Sequence, residues 1–124
     1  MAIESFKIAG SIFESLLMFK QAGQCYFSGK VFESAFECFC KAFMHKQAAE
    51  SLEMMNQYRE AAEYYEKDSN YLKVIECLDL INEWTLILEK IHQFSDKMSD
   101  YEKQALLKKY SALALEELVY EIEF

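Results

Sequence analysis

Proline is absent from the sequence, and only three of its 124 residues are glycine. Both residue types interrupt helices, proline because it has no amide hydrogen to donate and glycine because its backbone is conformationally free. Hydrophobic residues form 52% of the chain and charged residues 27%, a balance that excludes wholesale disorder. The chain is about one domain long, and we expect an all-α fold of helices joined by tight turns.

Positive charge is also scarce, since 13 Lys and Arg residues face 21 Asp and Glu residues and the formal net charge is −8. Nucleic-acid binding requires a cluster of basic side chains that neutralise phosphates, so we expect no direct nucleic-acid partner. The sequence contains no run of ~18 apolar residues, and we therefore expect no membrane span.

Cysteines are few: the chain has Cys25, Cys38, Cys40 and Cys77. We expect no secretory leader before them, because Glu4 and Lys7 interrupt the only early apolar stretch. Thiols in such a chain are typical of a reducing compartment, where they act as small apolar residues. The sequence therefore predicts an intracellular protein, cytoplasmic or nuclear. Cys38 and Cys40 are not expected to bind zinc together, because residues two apart on a helix point about 200° apart.

The sequence is rich in an apolar pattern with a period of 13 residues. Units beginning at residues 6, 19, 32, 45, 58, 71 and 84 carry apolar, aromatic or glycine residues at their first, fourth, fifth and eighth positions, His45 excepted. The first positions are Phe6, Phe19, Phe32, His45, Tyr58, Tyr71 and Trp84, and the eighth are Phe13, Tyr26, Phe39, Leu52, Tyr65, Leu78 and Ile91. These four positions share one face of an α-helix, so each unit predicts a short amphipathic helix.

The period also predicts that the chain reverses at each unit boundary. Thirteen residues of continuous helix turn about 1300°, roughly 220° past a whole number of turns, so an unbroken helix would place successive apolar faces on opposite sides. Turn-forming residues occupy the boundaries, among them Ser28-Gly29-Lys30, Asn56-Gln57, Asp68-Ser69-Asn70 and Ile81-Asn82-Glu83. We expect Gly29 to take the left-handed conformation that ends a helix. The whole pattern predicts an α-solenoid of about seven short antiparallel helices over residues 1–97.

Beyond Asp96 the pattern stops, and residues 98–124 predict one longer C-terminal helix of the same domain. Ser99 followed by Glu102 forms a capping box that opens this helix. Its apolar stripe consists of Leu107, Tyr110, Ala114, Leu118 and Ile122. The stripe predicts a lid packed over the last repeat, and the alternative is a helix that binds a partner. Because the sequence stops inside this helix without a C-cap, we expect a fragment of a larger repeat protein or a truncated relative of one.

Residues 19 to 42 resemble a tetratricopeptide (TPR) repeat, whose motif runs W-x2-L-G-x2-Y and then A-x3-F. Phe19, Ala22, Gly23 and Tyr26 occupy the first four motif positions, Ala35 and Phe39 occupy the next two, and Ala42 adds a small residue one turn later. The chain departs from the motif because no proline closes the repeat and two helices take 26 residues rather than about 34. The resemblance implies TPR-like helical hairpins.

Two segments narrow the resemblance further, Ala35-Phe36-Glu37-Cys38-Phe39 and Ala61-Ala62-Glu63-Tyr64-Tyr65-Glu66-Lys67. They are similar to the degenerate TPR-like region of large TPR-and-ankyrin-repeat proteins that also carry a superfamily 1 helicase-like ATPase. The resemblance implies a helical region beside that ATPase, whose catalytic motifs would lie outside this chain. Coat and intraflagellar-transport solenoids have similar short repeats and stay open as alternatives.

Two patterns that resemble chemical sites have a structural explanation. Glutamates recur at the sixth position of the units, and this regular spacing indicates a solvated ridge rather than an acid–base pair. The glutamates are Glu37, Glu50, Glu63, Glu76 and Glu89. Glu89 and His92 have the E-x-x-H spacing of di-iron bundles, but a single copy does not make a site. We predict no catalytic residue, no metal and no cofactor.

Three apolar residues lie off the repeating face: Phe27, Cys40 and Phe43. Exposed apolar residues on one side of a solenoid can form a partner-binding groove, although both faces of inner helices can also be buried. We predict a non-catalytic protein–protein interaction scaffold that binds a protein or peptide through such residues. The alternative is an accessory helical region of the helicase-like ATPase.

Overall fold

The computed structural model describes residues 2–123, and every regular element in this range is helical, which confirms the predicted all-α fold. The helices are α1 (Ala2–Ser15), α2 (Phe19–Ser28), α3 (Phe32–Lys41), α4 (His45–Met54), α5 (Tyr58–Lys67), α6 (Tyr71–Leu80), α7 (Trp84–Gln93) and α8 (Asp100–Glu123), and a 3₁₀ turn, Ser95–Lys97, precedes α8. Helices α2 to α7 begin at the predicted unit starts, whereas α1 begins at Ala2, ahead of the predicted Phe6. Within this range no helix combines the length and the apolar character needed to cross a bilayer.

The same backbone motif ends each helix from α1 to α6. At the end of α2, the Val31 amide donates to the Tyr26 carbonyl (2.8 Å) and the Lys30 amide donates to the Phe27 carbonyl (3.0 Å). This pair of hydrogen bonds is a Schellman motif, which satisfies carbonyls that a helix end leaves without partners. The motif requires one left-handed residue, and these residues recur every 13 positions: Leu17, Lys30, Phe43, Asn56, Ser69 and Asn82.

Each reversal needs only three residues because the last of them serves two helices. Val31 closes α2 through its amide and opens α3 through its carbonyl, which accepts a hydrogen bond from the Ala35 amide at 3.0 Å. No side chain caps the beginning of α2, α3, α4, α5 or α7. The tight turn therefore rests on the backbone, and this fixes the 13-residue period seen in the sequence.

The prediction for Gly29 is wrong, because its φ is −84° and the left-handed residue is Lys30, with a φ of 62°. Gly29 is buried, and a Cβ placed on it would lie 2.6 Å from the Cβ of Phe6. A glycine is needed here because the beginning of α1 approaches the end of α2, and the two helices are therefore antiparallel. The turn itself does not require a glycine at this position.

Phe43 is a left-handed residue with a bulky side chain, and 80% of its surface is exposed. Left-handed backbone costs roughly 1–2 kcal/mol for most residues, whereas asparagine tolerates it. We expect Phe43→Asn to raise the free energy of unfolding by about 0.5–1 kcal/mol, measured by urea denaturation. Phe43→Leu keeps the backbone penalty and should stay within about 0.5 kcal/mol of the parent. Equal stability of all three proteins would contradict the proposed strain.

Contacts divide the chain into two compact units, one ending at Asn70 and one beginning at Tyr71. In the first unit each helix from α1 to α4 packs against the next helix in the chain. Alanines at the fourth position are completely buried and allow this close approach. These alanines are Ala22, Ala35, Ala48 and Ala61. In the second unit α7 packs against both α6 and α8.

Glycines in the first two helices make room for aromatic rings of the following helix. A Cβ placed on Gly10 would lie 2.8 Å from the Tyr26 ring, and one placed on Gly23 would lie 2.7 Å from the Phe39 ring. Both glycines are at the fifth position of a unit and both rings are at the eighth. Burial and a hydrogen bond to Glu14 raise the pKa of Tyr26 to about 12.

The seventh position of the units is buried or exposed according to the helix on which it lies. Cys38 on α3 and Ser51 on α4 are buried, and the Ser51 hydroxyl donates to the Gln47 carbonyl at 3.1 Å. Burial and the carboxylate of Glu14, on α1, raise the pKa of Cys38 to about 11. The equivalent residue of α1, Ile12, is 54% exposed. The seventh position of α3 therefore faces α1, and no helix precedes α1 in the described residues to cover Ile12.

In the second unit α8 packs against α7, and its buried anchor is Tyr110, in the first half of the helix. The Ser99 hydroxyl accepts a hydrogen bond from the Glu102 amide at 3.2 Å, as the capping box predicts. Tyr110 is buried, and its hydroxyl donates to Asp79 of α6 at 3.0 Å. Its ring stacks on Trp84 of α7 at 5.9 Å. The Tyr110 contacts thus hold α8 against both α6 and α7.

Candidate binding surfaces

A depression in the first unit lies between α2 and α4, over a side chain of α3. It has a volume of about 200 Å³ and is lined by Gln24, Phe27, Ser28, Phe39, Gln47 and Glu50. We call it the α2–α4 groove. Phe39 is 2% exposed and forms part of the apolar lining, and the ring of Phe27 lies 6.4 Å from it. The groove exists because consecutive antiparallel helices alternate, so α2 and α4 flank α3.

The lining of the α2–α4 groove combines an apolar base with polar side chains from both flanking helices. Gln24 and Ser28 lie one turn apart on α2, and Gln47 and Glu50 lie one turn apart on α4. A glutamine side chain offers both donors and an acceptor, which match the amide and carbonyl of a peptide backbone. Glu50 offers acceptors alone when ionised. The groove therefore combines an apolar base with hydrogen-bonding groups from both flanking helices.

The structure places the three predicted partner-binding residues at different locations. Phe27 is half-buried in the α2–α4 groove, with its ring edge against Phe32 at 5.2 Å. Cys40 is half-buried and packs against the core of the first unit. Phe43 is exposed at the turn between α3 and α4. The three residues therefore do not line a common groove, and their role in partner binding stays a prediction.

Cys40 contacts Tyr64, whose ring lies near two further ring side chains. Its hydrogen bond with the Tyr64 side chain raises the pKa of Tyr64 above the usual value, and burial adds to this shift. The Tyr64 ring also packs edge-on against Phe36 at 5.3 Å, and it lies 6.3 Å from the ring of His45. The Nδ1 atom of His45 is buried, and no described residue accepts from it or donates to it. Cys40 therefore faces α5, away from the lining of the α2–α4 groove.

The remaining candidate residues, among those that the structure describes, are not brought together into a catalytic or metal-binding site. Four of the five sixth-position glutamates are exposed, and Glu50 is half-buried at the α2–α4 groove. All four cysteines are free thiols; Cys38 and Cys77 are buried, and Cys25 and Cys40 are half-buried. Among residues 2–123 no three His, Cys, Asp or Glu side chains are arranged to hold a metal ion.

Two further apolar surfaces lie on the first and last helices. On α1 and the turn after it, Ile8, Ile12 and Leu16 are spaced one helical turn apart and are 59%, 54% and 62% exposed. On the second half of α8, four apolar side chains are spaced as one helical stripe and each is at least half exposed. They are Leu115, Leu118, Val119 and Ile122.

Sequence reasoning missed most of the α2–α4 groove, although a signal for it was present. Gln24 and Glu50 occupy the sixth position of alternate units, and Gln47 occupies the third position of its unit. Antiparallel neighbours alternate, so comparing every second unit would have placed these side chains beside one another. Of the residues that line the groove, only Phe27 had been predicted to bind a partner.

Comparison with protein-family models, curated proteins and solved structures finds no match to this chain. The resemblance to TPR-and-ankyrin-repeat proteins with a helicase-like ATPase therefore stays a prediction based on the quoted residues. The described residues form an all-α structure with a 13-residue helical repeat.

Proposed function

We propose that this chain is a non-catalytic protein–protein interaction module and that its α2–α4 groove holds a short peptide segment of a partner protein. The observation that carries the proposal is the composition of the groove, in which Gln24, Ser28, Gln47 and Glu50 surround aromatic side chains. Binding sites commonly combine an apolar floor with a few oriented polar groups. The four free cysteines favour a reducing, intracellular location for this interaction.

The proposal assigns a role to each part of the α2–α4 groove. The apolar side chain of the peptide contacts Phe27 and Phe39, which removes apolar surface from water. The amides of Gln24 and Gln47 pair with the peptide backbone from opposite sides, and these contacts do not depend on the peptide sequence. Glu50 favours a peptide with a cationic side chain or a free amino group next to the anchor.

The test is selection of peptides from a displayed library of random dodecamers against the purified chain. We expect selected peptides to share one large apolar residue and to bind the Gln24→Ala/Gln47→Ala variant about tenfold or more weakly than the parent. Loss of two hydrogen bonds of ~1 kcal/mol each accounts for this factor. Binding constants follow from fluorescence anisotropy of the labelled peptides.

A matched control changes two glutamines outside the groove, Gln57 and Gln104, which are both exposed. The Gln57→Ala/Gln104→Ala variant should bind within about twofold of the parent. The proposed groove is contradicted by a selection that enriches no peptide, or by equal weakening in both double variants.

A further inference from the structure

The second half of α8 presents an apolar face whose side chains are each at least half exposed. Leu115, Leu118, Val119 and Ile122 follow the i, i+3, i+4, i+7 spacing, and they are 61%, 52%, 51% and 76% exposed. We call them the α8 stripe. Such spacing places four side chains within about 100° of one helical face, which is the face by which amphipathic helices pack on one another.

The borders of the α8 stripe are acidic on both sides. Glu116 flanks it on one side and Glu121 on the other, and all three glutamates at 116, 117 and 121 are exposed. The nearest basic residues of α8, Lys108 and Lys109, lie about two turns before Glu116 and Glu117, and the stripe itself is bordered by carboxylates. An apolar stripe with charged borders is the arrangement that selects partners in paired helices.

A notch beside the α8 stripe adds to the negative charge. It has a volume of about 230 Å³ between the beginning of α7 and the second half of α8. Its lining includes the residues Glu83, Glu117 and Glu121 together with Leu118 and Trp84. Carboxylates beside an aromatic ring attract the ammonium or guanidinium group of a long side chain. The notch has the chemistry to receive one lysine or arginine of a partner.

We propose that the α8 stripe docks a basic amphipathic helix of another protein, with apolar residues on the stripe and Lys or Arg residues against Glu116, Glu117 and Glu121. A second copy of this chain is disfavoured as the occupant. Pairing two α8 stripes would place the glutamates of one copy beside those of the other, and these like charges would repel each other. The α8 stripe lies in the second unit and does not depend on the α2–α4 groove, so either proposal can fail without the other.

The experiment titrates the full chain into a labelled synthetic peptide of about 21 residues with leucine at the a and d heptad positions and lysine at e and g. Fluorescence anisotropy at low ionic strength reports the dissociation constant. We expect the lysine peptide to bind and a peptide with glutamate at e and g not to bind. The variant Glu116→Lys/Glu117→Lys/Glu121→Lys should weaken the lysine peptide about tenfold or more and should bind the glutamate peptide instead.

Two further variants separate the α8 stripe from general attraction to an acidic protein. Leu118→Gln/Ile122→Gln removes apolar surface without changing the charge and should also weaken the lysine peptide, while circular dichroism shows that α8 persists. The control changes three exposed glutamates of the first unit to lysine, which alters the net charge equally, and it should leave binding within about twofold. Its glutamates are Glu33, Glu60 and Glu63.

Two results would overturn the docking proposal. One is equal weakening by the control and by the α8 charge reversal, because binding would then reflect the net charge of −8 rather than the α8 stripe. The other is a parent dimer in sedimentation equilibrium that Leu118→Gln/Ile122→Gln converts to monomer, because a second copy would then occupy the stripe.

Discussion

Replacing Cys38 with aspartate is expected to lower the free energy of unfolding by about 3–5 kcal/mol, the cost of an unpaired buried charge. Cys38 is 1% exposed and faces the carboxylate of Glu14. A second carboxylate at this position would lose its hydration and would be repelled by Glu14. The same substitution at Ile12, the seventh residue of the first unit, should cost only about 0.5–1 kcal/mol, because Ile12 is 54% exposed.

Urea denaturation of Cys38→Asp and Ile12→Asp measures the free energy of unfolding of each variant and so compares the two costs. If Cys38→Asp does not fold, Cys38→Ser and Ile12→Ser provide a milder pair, with an expected cost of about 1–3 kcal/mol at Cys38 and less than about 1 kcal/mol at Ile12. Similar costs at the two positions would show that burial of the seventh position does not depend on the helix that carries it.

Gly23→Ala is expected to destabilise the first unit by about 1–3 kcal/mol, although alanine normally favours a helix by ~1 kcal/mol over glycine. The added Cβ would lie 2.7 Å from the ring of Phe39, which is 2% exposed and cannot move outward freely. The sign of the effect therefore depends on packing rather than on helix propensity.

A second substitution tests whether that ring is the cause. Where the fifth position of a unit is large, as at Phe36, the eighth position of the next unit is leucine, at Leu52. Phe39→Leu should therefore relieve the clash, and the double variant Gly23→Ala/Phe39→Leu should be more stable than the sum of the single changes by about 1 kcal/mol or more. Thermal and urea unfolding of the four proteins complete the cycle, and additive effects would exclude the proposed contact.

The helix boundaries could be predicted from the sequence because the period of 13 does not match a whole number of helical turns. An apolar face that recurs at this interval must be accompanied by chain reversal, and helices α2 to α7 begin at the predicted residues. The Ser99 hydroxyl likewise accepts a hydrogen bond from the Glu102 amide, as the three-residue spacing of Ser99 and Glu102 predicts. These features are local, so neighbouring residues are sufficient to determine them.

Features that depend on distant residues could not be predicted in the same way. A glycine is needed at position 29 because its backbone closely approaches Phe6, more than twenty residues earlier in the chain. The left-handed residue of the turn is Lys30 instead. The α8 helix was predicted with one continuous stripe, yet Tyr110 is buried and Leu118 is half exposed. Periodicity shows which residues share a face but does not show how far a neighbouring helix extends along it.

The candidate surfaces show the same limit. Phe27 and Cys40 both occupy the ninth position of their units, and both lie off the repeating apolar face, which is why they were predicted to bind a partner together. Because α2 and α3 are antiparallel neighbours, Phe27 lines the α2–α4 groove whereas Cys40 contacts Tyr64 of α5. The acidic borders of the α8 stripe are visible in the sequence, but their significance depends on knowing that this half of the helix is exposed.

The sharing of a residue between two helices has a consequence for how this chain can change in length. Val31 ends one helix and begins the next, so the turn contains no spare residue that could absorb an insertion or a deletion. Losing or gaining a single residue would rotate every later side chain by about 100° and expose the apolar face. Related chains should therefore differ by whole 13-residue units, and those that keep the alternation of helices should differ by pairs.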